Sequence, residues 1–324
     1  MTEQRERAAV LEASGVCVDY GPRRRRVRAV DSVDLAVRPG EVLGLVGESG
    51  CGKSSLGRAL VGLEPAAGGT VRFAGEAVTP LSRRRRPDAL RPLQMVFQDP
   101  YASLNPRRKV GDLIADGVRL RNGPRAEAQS LPAELLGRVG LPADAVDKYP
   151  HEFSGGQRQR IAIARTLAAR PKCIVADEPI SALDASAQAQ VANLLLALAK
   201  EDGMAMIFIS HDLSVVRQIA DRVAVMYLGC IAEIGTTGAV WAKPTHPYTE
   251  ALVSAIPRAD GRGSLPMDLP GDVPDPGSPP SGCRFHPRCP LAEDRCSTTI
   301  PKLADVPPDH DRAAACLVRV PAGS

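Results

Sequence analysis

An α/β fold built around a mainly parallel sheet is predicted by three features: compact apolar runs of strand length, helical stretches between them, and a glycine-rich turn joining one run to a helix. An antiparallel β region precedes the turn, a helical insertion interrupts the middle of the chain, and a small cysteine-rich tail ends it. With 324 residues, 44% of them hydrophobic, the chain is long enough to bury a sizeable core.

Taken in order, residues 9 to 38 read as short strands with turns. Ala29-Val-Asp-Ser-Val-Asp-Leu-Ala-Val37 nearly alternates apolar and polar, which suits a half-buried antiparallel sheet. Glu41-Val-Leu-Gly-Leu-Val46 is apolar almost throughout, as a parallel strand covered on both faces must be. The turn begins at Gly47, and the helix after it is expected from about Lys53 to Leu63. Further strands are expected at Met95 to Phe97, Cys173 to Asp177, Ala205 to Ser210 and Val223 to Tyr227, with helices near 154 to 169 and 185 to 200. Strand signals fade between about 99 and 158, where segments such as Pro132-Ala-Glu-Leu-Leu-Gly-Arg-Val139 suggest helices. These shifts divide the chain into a main domain over 1–257 with a helical part at about 99–158, a Pro- and Gly-rich linker over 258–282, and a tail over 283–324.

The 41 Lys and Arg nearly balance the 37 Asp and Glu, and a net charge of +4 does not argue for a nucleic-acid partner. Two arginine runs, Arg23 to Arg26 and Arg83 to Arg86, suit either anionic partners or solvated loops. No run approaches the ~18 consecutive apolar residues of a membrane-spanning helix, and the polar start is unlike a signal peptide, so a soluble, cytoplasmic chain is expected. Cys17, Cys51, Cys173 and Cys230 are scattered through regular sequence as small hydrophobes would be.

Chemistry concentrates in two places. Gly47, Glu48, Ser49, Gly50, Cys51, Gly52, Lys53 and Ser54, followed by Ser55, fit the pattern G-x-x-x-x-G-K-[ST] between a strand and a helix. There the backbone N–H groups converge on phosphate oxygens at a positive helix end, Lys53 neutralises the β- and γ-phosphates, and the Ser54 hydroxyl holds magnesium. The strand Cys173 to Asp177 ends in Asp177 and Glu178, the first suited to magnesium and the second to polarising an attacking water. Ser154, Gly155, Gly156 and Gln157 form an S-x-x-Q pattern that by itself reads as a helix capping box.

Together with Arg158, Gln159 and Arg160, that pattern resembles the signature motif of ABC ATPases. Tyr20, Gln98, Ser181 to Asp184 and His211 stand where that family has its adenine-stacking aromatic, Q-loop glutamine, D-loop and switch histidine. Stretches outside the chemistry, including Val96 to Pro106, His246 to Leu252 and Cys283 to Pro290, are similar to the oligopeptide and dipeptide importer ATPases. Phe153, Ile180 and Cys230 depart from common family choices without removing a reactive group.

The resemblance implies a P-loop NTPase of RecA-like ABC type with antiparallel β and helical subdomains. It implies that ATP binds Tyr20, the 47–55 loop and Gln98, that Gln98 also meets the Mg2+ held by Ser54 and Asp177, and that Lys53, Glu178 and His211 act in hydrolysis. Ser154 to Gln157 would contact an ATP bound by a second ABC ATPase subunit, giving a heterodimer on the cytoplasmic face of the membrane. Two transmembrane permease subunits and an external substrate-binding protein would complete an importer, of peptides or else of nickel or sugars. A soluble ABC protein acting on ribosomes or DNA is the rival, supported by the arginine runs alone; a P-loop kinase would leave the signature unexplained.

Four thiols in the tail, Cys283, Cys289, Cys296 and Cys316, are spaced C-x5-C-x6-C-x19-C. They suit a [4Fe-4S] cluster of structural role, which the resemblance also implies, with zinc or no metal as the alternatives.

Overall fold

The structure is a computed structural model and describes residues 8–22, 26–82, 85–256, 271–307 and 309–320. Arg23 to Arg25, Arg83, Arg84 and most of the proposed linker therefore lie outside the described residues.

A four-stranded antiparallel sheet is built from β1 (Leu11–Tyr20), β2 (Val27–Val37), β4 (Gly68–Phe73) and β5 (Glu76–Ala77) in the order β2-β1-β4-β5. The first two strands are ten and eleven residues long, not the short pieces that the sequence suggests. Register shifts along the β1–β2 pairing explain the broken alternation, since each shift turns the next side chains to the other face.

Between β2 and β4 come β3 (Val42–Val46) and the helix α1 (Lys53–Leu60). That helix stops three residues before the expected Leu63. Gly62 takes a left-handed φ of 78°, Gly62 N donates to Ala59 O (3.0 Å) and Leu63 N to Arg58 O (2.8 Å). Those two bonds satisfy the last carbonyls of the helix and turn the chain away, the Schellman ending that glycine favours.

The second sheet continues through β6 (Leu93–Val96), β7 (Cys173–Asp177), β8 (Ala205–Ser210), β9 (Arg222–Tyr227) and β10 (Cys230–Thr236), with β11 (Ala304–Val306) and β12 (Asp309–Ala314) from the tail. Its order is β11-β12-β10-β9-β3-β8-β7-β6. Strands β9, β3, β8, β7 and β6 run parallel, while β10, β12 and β11 add antiparallel. Between β6 and β7 lie α2 (Pro100–Ser103), α3 (Val110–Leu120), α4 (Arg125–Arg138) and α5 (Gly155–Leu167). The remaining helices are α6 (Ala185–Glu201), α7 (Leu213–Ile219), α8 (Thr237–Ala242), α9 (Pro247–Ser254) and α10 (Asp294–Thr298).

Side chains alternate across this sheet and so feed two cores. Leu43, Leu45, Val175, Ile207 and Ile209 face the antiparallel sheet and α1, while Val42, Val46, Ile174, Met206 and Phe208 face α3, α5, α6 and α7. Each such side chain, fully buried, contributes about 1.5–3 kcal/mol of transfer free energy, which is why the strands read as unbroken apolar runs. Strand ends toward the loops are thereby held rigidly, and the polar groups just past β3, β6, β7 and β8 are brought side by side. No helix among the described residues is long and apolar enough to cross a membrane.

The tail does not stand off from this body. Strand β12 pairs with β10 through Glu233 and Ile234, and Phe285 is buried in the same core as Phe208 and Tyr248. What fixes the strand is Glu233, wholly buried, whose carboxylate accepts from Arg312 Nε (3.0 Å), Thr245 N (3.0 Å) and His246 N (2.8 Å). The described parts of the arginine runs also turn to the protein. Arg26 pairs with Asp19 at 3.5 Å, and Arg86 donates to Val61 O at 3.1 Å.

Candidate functional site

The loop from Gly47 to Gly52 leaves β3 and enters α1 at Lys53. Gly52 has φ 104°, and a Cβ there would lie 2.1 Å from Ala29 O, so no other residue fits without moving β2. Lys53 is 4% exposed and its Nζ donates to Gly47 O and Glu48 O, both at 2.9 Å, which puts the ammonium inside the curl of the loop. Ser49 and Gly50 stand exposed at its rim, and Ser54 and Ser55 are half-buried in the first turn of α1. Burial pushes the Cys51 thiol up, so at neutral pH it is a packing group.

Ser54 Oγ donates to Asp177 Oδ1 at 2.7 Å. Burial pushes the Asp177 carboxyl up, while the Ser54 hydroxyl, Arg58 and Lys53 pull it down. A hydroxyl and a carboxylate meeting at the start of α1 offer the hard oxygen donors that magnesium takes, so the residues fit that ion.

Past the end of β7 the backbone turns left-handed at Glu178 (φ 44°), unusual for a residue with a side chain, and Glu178 N donates to Ile209 O of β8 (3.1 Å). That turn sends the carboxylate to a meeting of three loops. Gln98 Nε2 donates to Glu178 Oε2 (3.1 Å) and lies 3.4 Å from Ser181 Oγ, and His211 Nδ1 is 3.5 Å from the same Oε2. Glu178 is thus held by Gln98 and His211 at one carboxylate oxygen.

Ser154 caps α5: its Oγ accepts from Gln157 N (3.4 Å) while Gln157 Oε1 accepts from Ser154 N (3.0 Å). Gly155 and Gly156 approach Leu183 and Ala187, and Asp184 caps α6 by accepting from Ala187 N at 2.9 Å. The two helix starts lie side by side, and none of these bonds reaches the 47–55 loop. Tyr20 ends β1, half-buried against the core of the antiparallel sheet.

Two loop contacts were not foreseen from the sequence. Tyr248 Oη accepts from Glu48 N (2.9 Å), and Arg288 forks onto the Glu48 carboxylate at 2.9 and 3.2 Å. The available signal was an arginine among apolar and cysteine residues in the tail, where an unpaired charge would be costly.

The four tail cysteines are free thiols, Cys296 and Cys316 buried and the others half-buried. Burial pushes Cys283 up to about 11, with Cys296, Cys289 and Cys316 near enough to add to the effect. Among the described residues no three His, Cys, Asp or Glu side chains are grouped so as to hold a metal ion. Four thiols on one short segment match in number the ligands that a [4Fe-4S] cluster or a zinc ion takes.

Residues 30–181 match the ABC transporter family, and residues 232–296 match the family described as the oligopeptide/dipeptide transporter C-terminal region. A probable peptide ABC transporter ATP-binding protein of Sinorhizobium fredii is 51% identical over 300 residues, 92% of this chain and 84% of that protein. The oligopeptide transport ATP-binding protein AppF of Bacillus subtilis is 47% identical over 289 residues, 88% of each chain. Among solved structures, a subunit from Clostridium perfringens described as part of an ABC transporter complex superposes with a TM-score of 0.62 at 27% identity, covering 72% of this chain and 91% of that one. A dimeric ATP-binding cassette in a post-hydrolysis state with ADP and phosphate gives the same TM-score at 26% identity, over 70% of this chain and 98% of that one.

Proposed function

The chain belongs to the ABC transporter ATP-binding family, and from that premise we propose that it hydrolyses ATP to energise an importer of di- or oligopeptides. One observation carries the enzymatic part. Gln98 and His211 converge on one carboxylate oxygen of Glu178, the residue next to Asp177 of the Ser54–Asp177 pair. The peptide part rests on relatives named as peptide and oligopeptide transport ATP-binding proteins, and on the match of residues 232–296.

In this reading the N–H groups of residues 49, 50 and 52 to 54, with Glu48 N taken by Tyr248 and Cys51 N by Glu48 O, join the Lys53 ammonium in binding the β- and γ-phosphates, and Tyr20 stacks on adenine. Magnesium, held by Ser54 and Asp177 with Gln98 near it, would neutralise phosphate charge. Glu178 orients the attacking water and takes its proton, while Gln98 and His211 keep the carboxylate aimed. Its backbone turn at φ 44° stores strain where orientation matters most. Ser154 to Gln157 lie at an exposed helix start outside this cluster, so they serve an ATP on a second ABC ATPase subunit, in a heterodimer. Closure and reopening of that dimer would pass through Gln98 and the α2–α4 helices to two permease subunits at the cytoplasmic face of the membrane. An external binding protein would deliver the peptide.

The tail would hold a [4Fe-4S] cluster through Cys283, Cys289, Cys296 and Cys316, a reading supported by four thiols within one short segment, the number of ligands that such a cluster takes. Its role would be to hold a short segment in shape, since no step above calls for an electron.

Uptake of a labelled dipeptide by cells lacking the chain tests the reading. Wild-type protein should restore uptake and Lys53→Ala should not; uptake that is indifferent to the chain, or fully restored by Lys53→Ala, would refute it.

A further inference from the structure

Glu48, the first variable position of the phosphate loop, is gripped twice. Its N–H donates to Tyr248 Oη at 2.9 Å, and its carboxylate takes the two-pronged contact of Arg288, Nη1 to Oε2 at 2.9 Å and Nη2 to Oε1 at 3.2 Å. Arg288 is 6% exposed and Nη1 also lies 3.4 Å from Tyr227 Oη. Below it, the rings of Tyr227, Tyr248 and Phe285 pack with centroids 4.6 to 5.4 Å apart, so the guanidinium cannot swing aside. The glutamate raises the Arg288 pKa, as a partner held in fixed geometry does. A fork of this kind fixes both the position and the plane of the carboxylate, which lysine cannot do.

The chain position of this arginine gives the contact its meaning. Arg288 sits next to Cys289, within the cysteine-bearing tail, 240 residues from Glu48. The phosphate loop is otherwise a strip of small residues with few side chains to hold it, and its curled shape is what aims its N–H groups. A loop already held in the binding conformation loses less freedom when the nucleotide arrives.

We propose that Arg288 is a positioning residue for the phosphate loop, through which the docked tail sets the affinity for ATP. The inference rests on the reading of residues 47–54 as the ATP site. It makes the tail part of the nucleotide site. Damage to the cysteine-bearing segment then weakens nucleotide binding by loosening Glu48, without any redox step.

The test measures binding of a fluorescent ATP analogue with magnesium to the full-length chain. Arg288→Ala and Glu48→Gln should each weaken binding roughly 5- to 30-fold, the scale of a lost charge-assisted contact. The double variant should be no weaker than the weaker single one, and Arg288→Lys should recover part of the affinity with an unchanged melting temperature. In the assembled transporter Arg288→Ala should raise KM for ATP and leave kcat near wild type. Wild-type affinity in Arg288→Ala, losses that multiply in the double variant, or a fall in kcat at constant KM would overturn the proposal. Lys53→Ala, measured alongside, separates the underlying reading: if it binds the analogue as wild type does, the ATP site itself is misassigned.

Discussion

Replacing Glu178 by glutamine is the sharpest probe of the hydrolytic site, because it changes charge and basicity while keeping shape. The amide oxygen can still accept from Gln98 Nε2, now 3.1 Å from Oε2, and the left-handed turn at residue 178 is untouched. Of the proposed binding groups, Lys53 with its 2.9 Å contacts and Ser54 lie on α1, and Asp177, though adjacent, is fixed in β7 and bonded to Ser54, so none should move. ATP affinity should therefore change by less than about twofold, well under the 1.4 kcal/mol that a tenfold change represents. Turnover should fall by roughly 10²- to 10⁴-fold, the usual contribution of a positioned base, which corresponds to about 3–5 kcal/mol on the barrier. The assay is steady-state phosphate release by the transporter reconstituted in lipid, with ATP binding measured in parallel. Wild-type turnover in Glu178→Gln would refute the assignment, and so would a loss of turnover that simply tracks a loss of binding.

Three further outcomes are expected. The isolated chain should show little ATPase activity and gain it when the partner ATPase and permeases are added, since Lys53 and Ser154 would serve different nucleotides; full activity in a demonstrably monomeric preparation would contradict the divided site. Protein purified without oxygen should be brown, with about four irons per chain if the cluster is full. Colourless protein carrying one zinc that Cys289→Ser loses would favour zinc, and no metal at all would exclude both. His246, 3% exposed, has its pKa lowered to about 4 by burial and by the nearby Arg319 charge. The unfolded chain then binds the extra proton first, so stability is full above about pH 6.5 and falls as pH drops toward 4, by up to about 3 kcal/mol. Denaturant midpoints should show that fall, and His246→Asn, which can still accept from Tyr248 N, should flatten it; an equal slope in the variant would refute the cause.

Local chemistry was legible in the sequence wherever neighbours along the chain settle it. The strand, loop and helix around Lys53, the acidic end of β7 and the cap at Ser154 each follow from a few consecutive residues. The end of α1 was legible too in principle, because Gly62 marks it, but the apolar Val61 and Leu63 around it extend the helical pattern past the true stop. What stayed hidden depends on pairings between distant segments. Nothing near Arg288 names Glu48 as its partner, and nothing in Asp309 to Ala314 specifies that it will pair with Glu233 and Ile234. Nothing in the neighbouring sequence marks Glu233 as buried, and only the fold shows that it holds Arg312 and the start of α9 together.

The tail hairpin also closes an open flank. Strand β10 pairs with β9 on one side, and on the other it would present unpaired N–H and C=O groups along an almost wholly buried stretch, Ile231 to Gly235. With β12 in place the outermost strand becomes β11, three residues long and partly exposed, too short to recruit another chain readily. A chain cut after α9 would bare that apolar margin and leave Glu233 without Arg312, so self-association through β10 is its natural fate. The tail therefore guards solubility, and shortened versions of this protein should be judged first by whether they stay dispersed.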